Sequence, residues 1–258
     1  MPNEKPSPLL HAGSECTFWA GSADYLAGHQ GGAPVFLTGL YGKFRLRLFG
    51  QPWMLCRAAL IPPGVWHELD FAGEPFAALY IEPKHGGLNA MSPLLRVSSN
   101  VQNVSMGDSD TIPLLRTFYE DPFSEQWVEN ALSDLLAFSR RTAETESIEP
   151  RLVRVADLLI ESCADPRPVS EFARAAGLST SRFQHLFTQQ FGVPFRRYRA
   201  WNRLRTAWLQ VAKGATITEA AHMAGFFDSA HFAHEYRRTF GRAASNGLRR
   251  MVRTSGQA

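Results

Sequence analysis

Residues 225–241 read GFFDSAHFAHEYRRTFG, and nearly the same pattern occurs about fifty residues earlier in the chain. A shift of 48 positions aligns Gly177 with Gly225, whereas a shift of 49 aligns Ser179 with Asp228. The second unit therefore has one extra residue in its turn. A left-handed glycine commonly ends one helix, and a Ser or Asp commonly caps the next one. Each unit thus has the plan of a helix-turn-helix.

The second helix of each unit has an apolar and a polar face, because its Phe, Leu and Tyr residues recur every three or four positions. Polar side chains on such a helix can hydrogen-bond base edges or phosphates in a DNA major groove. A solvated surface would explain any one of them, but two aligned units favour a DNA-binding role for the set. The candidates are Ser181, Arg182, Gln184, His185 and Thr188 in the first unit, and Ser229, His231, His234, Arg237 and Arg238 in the second.

Residues 195–212 join the two units and are predicted to form one long helix. Trp201 and Trp208 mark its inward stripe, while its arginines, from Arg196 to Arg205, are expected to point mostly elsewhere and to neutralise phosphates. Arg196 and Arg197 are the first candidates for such contacts. A helix of this length spans roughly 27 Å, so two recognition helices could occupy successive major grooves about 34 Å apart.

Charge is divided unequally along the chain. Residues 1–150 hold 10 Lys and Arg against 17 Asp and Glu, a balance of −7, and residues 151–258 hold 17 against 7, a balance of +10. A basic C-terminal half suits a polyanionic partner, although a solvated basic surface would have the same composition. Three widely separated cysteines fit neither a disulfide framework nor a zinc cluster, so reduced thiols are expected. With no secretion signal or membrane-length apolar run, we expect a cytoplasmic protein without a membrane partner.

The N-terminal part has the period-2 alternation of β-strands, which is clearest in residues 43–48. Turns rich in Gly and Pro separate its segments, which indicates an antiparallel sandwich or small barrel. Residues 84–111 are polar and are assigned mainly to loop. The candidate strands lie near 34–40, 43–49, 53–61 and 76–82.

Helical periodicity begins at residue 112. In residues 126–141, one stripe either covers the barrel or pairs with a second copy of the chain. In residues 150–163, a stripe is predicted to be buried on one side of a further helix. The first stripe consists of Trp127, Ala131, Leu135 and Phe138, and the second of Leu152, Val155 and Leu159.

Residues 150–250 resemble the DNA-binding domain of AraC/XylS-type transcriptional regulators, in which a long helix joins two helix-turn-helix units. The resemblance implies double-stranded DNA as a partner, with RNA polymerase and a second copy of the chain as further partners. It departs from the family at His234, where Arg is usual, and after Gly241, where a Pro and a Tyr-Arg pair are missing, so a looser final helix is expected. The matching residues are Ala173, Gly177, Leu178, Ser179, Phe183, Leu186, Phe187, Phe191 and Gly192, then Ile217, Ala221, Ala224, Gly225, Phe226, Asp228, Phe232, Tyr236, Phe240 and Gly241.

Residues 62–70, PPGVWHELD, and the run from His29 to Leu46 resemble the two conserved stretches of small cupin barrels. AraC-type regulators often carry such a barrel as an effector-sensing and dimerising domain. The resemblance places His29, Trp66 and His67 near an effector pocket, although each histidine is more often a core residue. The His-x-His pair of metal-binding cupins is missing here, so no metal and no cofactor are expected.

The sequence therefore predicts an α+β chain in three parts. Residues 1–111 form a cupin-like antiparallel β-barrel for effector binding or dimerisation, 112–149 a helical linker or dimerisation region, and 150–258 an all-α DNA-binding domain with two helix-turn-helix units. The leading function is a sequence-specific DNA-binding transcription regulator that senses a small molecule and has no catalytic residue. The alternatives are a cupin-type metal-dependent enzyme with a DNA-binding tail and a purely architectural or partner-binding module.

Overall fold

A computed structural model describes residues 6–13, 15–121, 123–143 and 148–245. The order of elements along the chain is β first and α afterwards, as the sequence predicts. The strands are β1 (Leu9–Ala12), β2 (Cys16–Ser22), β3 (Tyr25–Gln30), β4 (Val35–Gly39), β5 (Phe44–Leu48), β6 (Met54–Cys56), β7 (Ala58–Ile61), β8 (Trp66–Asp70), β9 (Pro75–Ile81), β10 (Arg96–Val101) and β11 (Val104–Asp108). The helices are α1 (Gly87–Met91), α2 (Ile112–Glu120), α3 (Val128–Thr142), α4 (Pro150–Glu161), α5 (Val169–Ala175), α6 (Thr180–Phe191), α7 (Phe195–Ala212), α8 (Ile217–Met223) and α9 (Ser229–Phe240).

Two antiparallel sheets form the N-terminal domain. The larger has the strand order β1-β2-β9-β4-β7-β11-β10, and the smaller has the order β3-β8-β5-β6. The predicted strand over 53–61 is in fact two strands, because the chain passes from the small sheet to the large one at Arg57. The expected antiparallel β-rich architecture is confirmed.

The assignment of residues 84–111 to loop is wrong. The segment contains α1 and the hairpin β10–β11, whose turn residues Gln102 and Asn103 both have positive φ angles. Nearly all of β10 is exposed, so its sequence lacks the apolar alternation by which a half-buried strand is recognised. No strand was predicted before residue 34, where the structure has β1, β2 and β3.

Helices α2 and α3 pack on the outer face of the large sheet around Phe18, Phe36 and Phe118. The buried stripe of α3 differs from the predicted one by a single position. Its members are Val128, Leu132, Leu136 and Ser139, whereas Phe138 is exposed and Trp127, Ala131 and Leu135 are half-buried. The helix covers the sheet with this stripe, and the predicted stripe lies along its margin.

The C-terminal domain has the expected sequence of helices, and α4 buries Leu152, Val155 and Leu159 as predicted. Its core is continuous with the inner face of the β domain, because buried residues from both halves belong to one apolar cluster. All three cysteines are free and buried, and burial raises the pKa of Cys16 and of Cys56 to about 12. Among the described helices, none has the length and apolar character needed to cross a membrane.

Candidate nucleic-acid interface and interdomain pocket

The two helix-turn-helix units have the same local construction. Gly177 and Gly225 end α5 and α8 with φ angles of +66° and +78°, a conformation that favours glycine. The Ser179 hydroxyl accepts a hydrogen bond from the Arg182 N–H at 3.3 Å, and the Asp228 carboxylate accepts one from the His231 N–H at 2.6 Å. These caps fix where each second helix begins.

Aromatic packing determines which face of each second helix meets solvent. Phe183, Phe187 and Phe191 of α6 are buried, as are Phe232, Tyr236 and Phe240 of α9. All ten candidate DNA-contacting side chains on the two helices are exposed on the remaining surface. The Thr188 hydroxyl donates to the Gln184 carbonyl at 2.8 Å, so its hydrogen is already used within the helix.

A basic cleft of about 630 Å³ separates α7 from α9. Burial and the neighbouring charges of Arg238 and Arg196 lower the pKa of the Arg197 side chain. A clustered set of like charges of this kind attracts an anion. The cleft is lined by Arg196, Arg197, Arg199 and Arg203 of α7, and by His231, Glu235 and Arg238 of α9, among other residues.

Not all of the arginines of α7 are available to phosphates. Arg197 donates to the Gln30 carbonyl at 3.2 Å, Arg199 to the Arg167 carbonyl at 2.8 Å, and Arg203 to the Cys163 carbonyl at 3.0 Å. These bonds tie α7 to neighbouring segments. Arg196 is exposed, and no hydrogen bond of its side chain is found among the described residues.

The prediction that Arg205 points outward is wrong. Arg205 is buried against the β domain, where its Nε donates to the Thr17 hydroxyl at 2.9 Å and lies 3.9 Å from a Glu82 oxygen. The same Glu82 carboxylate accepts hydrogen bonds from the Tyr198 hydroxyl at 3.0 Å and the Trp201 indole N–H at 3.3 Å. Arg205 follows Trp201 by four positions, a spacing that puts both residues on the same helix face. Because Trp201 is on the inward stripe, this spacing could have predicted the burial of Arg205 from sequence.

A small pocket lies between the two domains. Its volume is about 30 Å³, roughly the space of one water molecule. His29 and His67, two of the three residues predicted to lie near an effector pocket, line it from adjacent strands. Most of the lining is apolar, and the remaining members include Trp19, Leu37, Phe76 and Tyr80 of the β domain and Trp208, Phe240 and Arg242 of the helical domain.

Trp66 does not share this pocket. Successive residues of a strand point to opposite faces, so His67 faces inward and Trp66 faces outward. A Cβ on Gly28 would lie 2.3 Å from the Trp66 indole, so the ring lies close to that glycine. The predicted effector role of Trp66 is therefore not supported by its position.

Both pocket histidines are held in the neutral form. Each Nδ1 donates to the carbonyl two residues before it, at 2.8 Å from Ala27 and 2.9 Å from Val65. Burial lowers the pKa of His29 well below its usual value and that of His67 to about 4. In a neutral ring with Nδ1 protonated, Nε2 is a hydrogen-bond acceptor. Within the described residues there is no group of three or more His, Cys, Asp or Glu side chains that could hold a metal.

The C-terminal end of α9 is seated on strand β3, beside the pocket. The Gly241 carbonyl accepts a hydrogen bond from the Ala27 N–H at 2.9 Å. Gly241 has a φ of +68°, and a Cβ there would lie 2.3 Å from the Ala27 oxygen and 2.7 Å from His29 Nδ1. Arg242, the next residue, has its guanidinium 5.1 Å from the Trp19 ring. Of the stretch that departs from the AraC/XylS pattern, residues 246–248 lie outside the described residues.

Comparison with known proteins agrees with this architecture. Residues 172–250 match a family described as a helix-turn-helix domain. The HTH-type transcriptional regulator RipA of Corynebacterium glutamicum is 31% identical over 97 residues, which are 37% of this chain and 29% of that protein. The chain therefore aligns with less than a third of the length of this curated relative.

Two crystal structures of ToxT from Vibrio cholerae are similar over nearly the whole chain. An apo ToxT variant has a TM-score of 0.62 at 12% identity, covering 93% of this chain and 99% of that one. Wild-type ToxT bound to an unsaturated fatty acid has a TM-score of 0.60 at 13% identity, covering 93% and 97%. At such low identity the similarity shows the fold alone, and it extends through both domains.

Proposed function

We propose that this chain is a transcriptional regulator of the AraC type that binds double-stranded DNA in a sequence-specific manner. The observation that carries the proposal is the pair of equivalent recognition helices, α6 and α9. Each is capped at its start, buried along its aromatic face and exposed along its polar face. Helices of this kind place their N-terminal residues in the major groove.

The two kinds of DNA contact are divided among different residues. Gln184, His185 and His231, on the exposed faces of the recognition helices, are proposed to read base edges. Arg196 and Arg238, which border the basic cleft, are proposed to bind phosphates and to fix the register without reading sequence. Because Arg205 is buried, it takes no part in this contact.

Selection of bound sequences from a random DNA pool tests the function. With the full chain we expect two short sequence blocks about one helical turn, or roughly 34 Å, apart. Binding should weaken steeply as salt rises, because phosphate neutralisation releases counterions. Recovery of unrelated sequences with no common motif would contradict sequence-specific recognition.

We further propose that the interdomain pocket is the site of a small-molecule effector. Its lining is mostly apolar, and its polar groups include the acceptor nitrogens of two neutral histidines and the cationic Arg242. These features suit a mainly apolar molecule with one anionic or hydrogen-bonding end. The fatty acid bound to a ToxT structure of the same fold is in keeping with this choice.

Because the pocket is small, effector binding would displace lining residues at the end of the recognition helix α9. A volume of about 30 Å³ admits no organic effector, so binding requires lining side chains to move. Phe240 and Arg242 belong to the end of α9 and to the residues directly after it. An effector that displaces them changes how α9 is seated on β3, and with it the placement of the second unit.

Ligand-induced thermal stabilisation tests this site. A long-chain fatty acid should raise the melting temperature of the full chain, since a ligand that binds only the folded state stabilises it. Arg242→Ala should reduce the shift, whereas Arg45→Ala, on the outer face of the small sheet, should leave it unchanged. An equal shift in both variants would place the ligand elsewhere.

The alternative function, a metal-dependent enzyme, has no specific observation in its favour among the described residues. Binding of RNA polymerase or of a second copy of the chain stays a prediction.

A further inference from the structure

We infer that Phe227 reads a thymine methyl group in the DNA bound by the second helix-turn-helix unit, an inference that rests on the proposed DNA-binding function. Phe227 is 86% exposed, more than any other large apolar side chain in the described part of the chain. It lies in the turn between α8 and α9, directly before the N-cap Asp228. A single exposed apolar side chain is ordinary by itself, so the argument depends on where this one lies.

Phe227 is the additional residue of the second turn. Alignment of the two units pairs Leu178 with Phe226 and Ser179 with Asp228, which leaves Phe227 without a counterpart. Phe226 fills the core position, with its ring 5.2 Å from that of Phe232. Asp228 provides the cap. The additional residue therefore serves neither packing nor capping, and it presents a phenyl ring to the outside of the domain.

The backbone is anchored on both sides of this ring. The Phe226 N–H donates to the Ala221 carbonyl at 3.0 Å, and the Asp228 carboxylate accepts from the His231 N–H at 2.6 Å. Because the backbone is already ordered on both sides, a partner that covers the ring restricts only its two side-chain torsions. The ring is thus suited to a contact made at a defined position.

The surface around the ring points to DNA as the partner. Ser229, Ala230 and His231, in the first turn of α9, are all exposed next to it. The start of a recognition helix is the part that approaches base edges in the major groove. Among the groups displayed there, the C5-methyl group of thymine is the apolar one, and phenylalanine is a side chain that contacts it. A protein partner on the same surface is the competing occupant.

Replacement of thymine by deoxyuracil removes only this methyl group and therefore tests the contact directly. In the selected DNA motif, each thymine of the half-site read by the second unit is replaced in turn. We expect wild-type affinity to fall about fourfold at one position, the effect of losing one buried methyl group. Phe227→Ala should bind both DNAs equally, and Phe227→Leu should retain part of the discrimination.

Phe49→Ala is the matched control, because Phe49 is a similarly exposed phenylalanine on the β domain. It should discriminate thymine from deoxyuracil as the wild type does. The inference is overturned if wild type ignores every substitution, if Phe227→Ala keeps the discrimination, or if the half-site has no thymine. It is also overturned if Phe227→Ala keeps the DNA profile but loses transcriptional activity, which would identify a protein partner. Failure of the proposed function would show differently, as the absence of any selected motif.

Discussion

Gln184 is the residue on which sequence reading by the first unit can be tested most directly. It is exposed on α6, and its side-chain amide can bond an adenine edge in two places. Gln184→Ala should remove roughly 1–3 kcal/mol of discrimination at one base pair of one half-site. The measurement is the affinity for the selected sequence and for each of its single-base variants.

Arg196→Ala is the matched comparison for Gln184→Ala. Its guanidinium is exposed at the edge of the basic cleft and is proposed to bind a phosphate. Its loss should weaken binding to all sequences about equally and should reduce the salt dependence by roughly one counterion. A base-dependent loss in Arg196→Ala, or a uniform loss in Gln184→Ala, would reverse the assigned roles.

His67 gives the protein a specific pH dependence of stability. Burial lowers its folded pKa to about 4, below the ordinary value of 6.5, so the folded state binds fewer protons than the unfolded state. The contribution of neutral His67 is therefore complete above pH 6.5 and is lost as pH falls from 6.5 towards 4. The free energy of unfolding should fall by up to roughly 3 kcal/mol on this account.

His67→Asn isolates that contribution, because an asparagine amide can take over the Nδ1 hydrogen bond to the Val65 carbonyl without titrating. Denaturant unfolding between pH 7 and 4 should show a shallower decline for the variant than for wild type. Identical slopes would mean that His67 does not stay neutral in the folded protein.

At the scale of single residues, the sequence predicted whether a side chain is exposed more reliably than which residues it contacts. Local periodicity was sufficient to predict that the ten polar side chains of α6 and α9 are exposed, since their exposure depends on their own helix. The prediction that Arg205 is exposed was wrong because its partners, Thr17 and Glu82, come from a distant part of the chain. Trp66 was placed near the pocket although it lies on the other face of the strand, because strand alternation alone does not tell which of the two faces lines a pocket.

At the scale of elements, the connection between α9 and β3 can be tested through a glycine. Gly241→Ala imposes a left-handed conformation on a residue with a side chain and also forces its Cβ against the Ala27 oxygen at 2.3 Å. Gly214→Ala imposes the same kind of conformational strain, at a φ of +96°, but its Cβ meets nothing within 4 Å. The comparison separates backbone strain from the loss of docking.

We expect Gly214→Ala to cost about 1 kcal/mol of unfolding free energy and Gly241→Ala at least about 2 kcal/mol more. Denaturant unfolding provides both values. Susceptibility to protease after α9 should rise only in Gly241→Ala, because only there is the helix end pushed from β3. Equal losses in the two variants would show that the close approach at Ala27 contributes nothing.

Elements with strong local signals were predicted well, and those that depend on the whole fold were not. Caps, glycines and aromatic periodicity located all helices from α4 to α9. The hairpin β10–β11 carries no alternation because nearly all of β10 is exposed. The stripe of α3 was displaced because the residues along one side of its buried face, Trp127, Ala131 and Leu135, are also apolar. In both cases burial was decided by the neighbouring sheet.

At the scale of the whole molecule, the sequence predicted two halves but not how they meet. The change from strand to helix periodicity gives the observed order, with the β-rich part first and the helices after it. The interface between them includes α7, which links the two helix-turn-helix units, and α9, the second helix of the second unit. The β domain is thus in direct contact with the helices that the proposed function assigns to DNA recognition.

The buried pair of Glu82 and Arg205 crosses this interface, with the Arg205 Nε 3.9 Å from a Glu82 oxygen. Glu82→Gln preserves the shape of the side chain but leaves the Arg205 charge uncompensated at a position that is 6% exposed. Removal of one member of a buried pair should cost about 3–5 kcal/mol of unfolding free energy. Asp110→Asn is the matched control in the exposed pair with Arg96, where the two side chains lie 3.2 Å apart and a loss below about 1 kcal/mol is expected.

The double variant Glu82→Gln with Arg205→Met decides between a lost ion pair and a general disturbance of the interface. If the uncompensated charge causes the loss, the double variant should recover much of the stability, because no buried charge is then left without a partner. If the double variant is less stable than Glu82→Gln alone, the two side chains act independently and the pair does not hold the domains together. The measurement is denaturant unfolding of the full chain for all four proteins of the cycle.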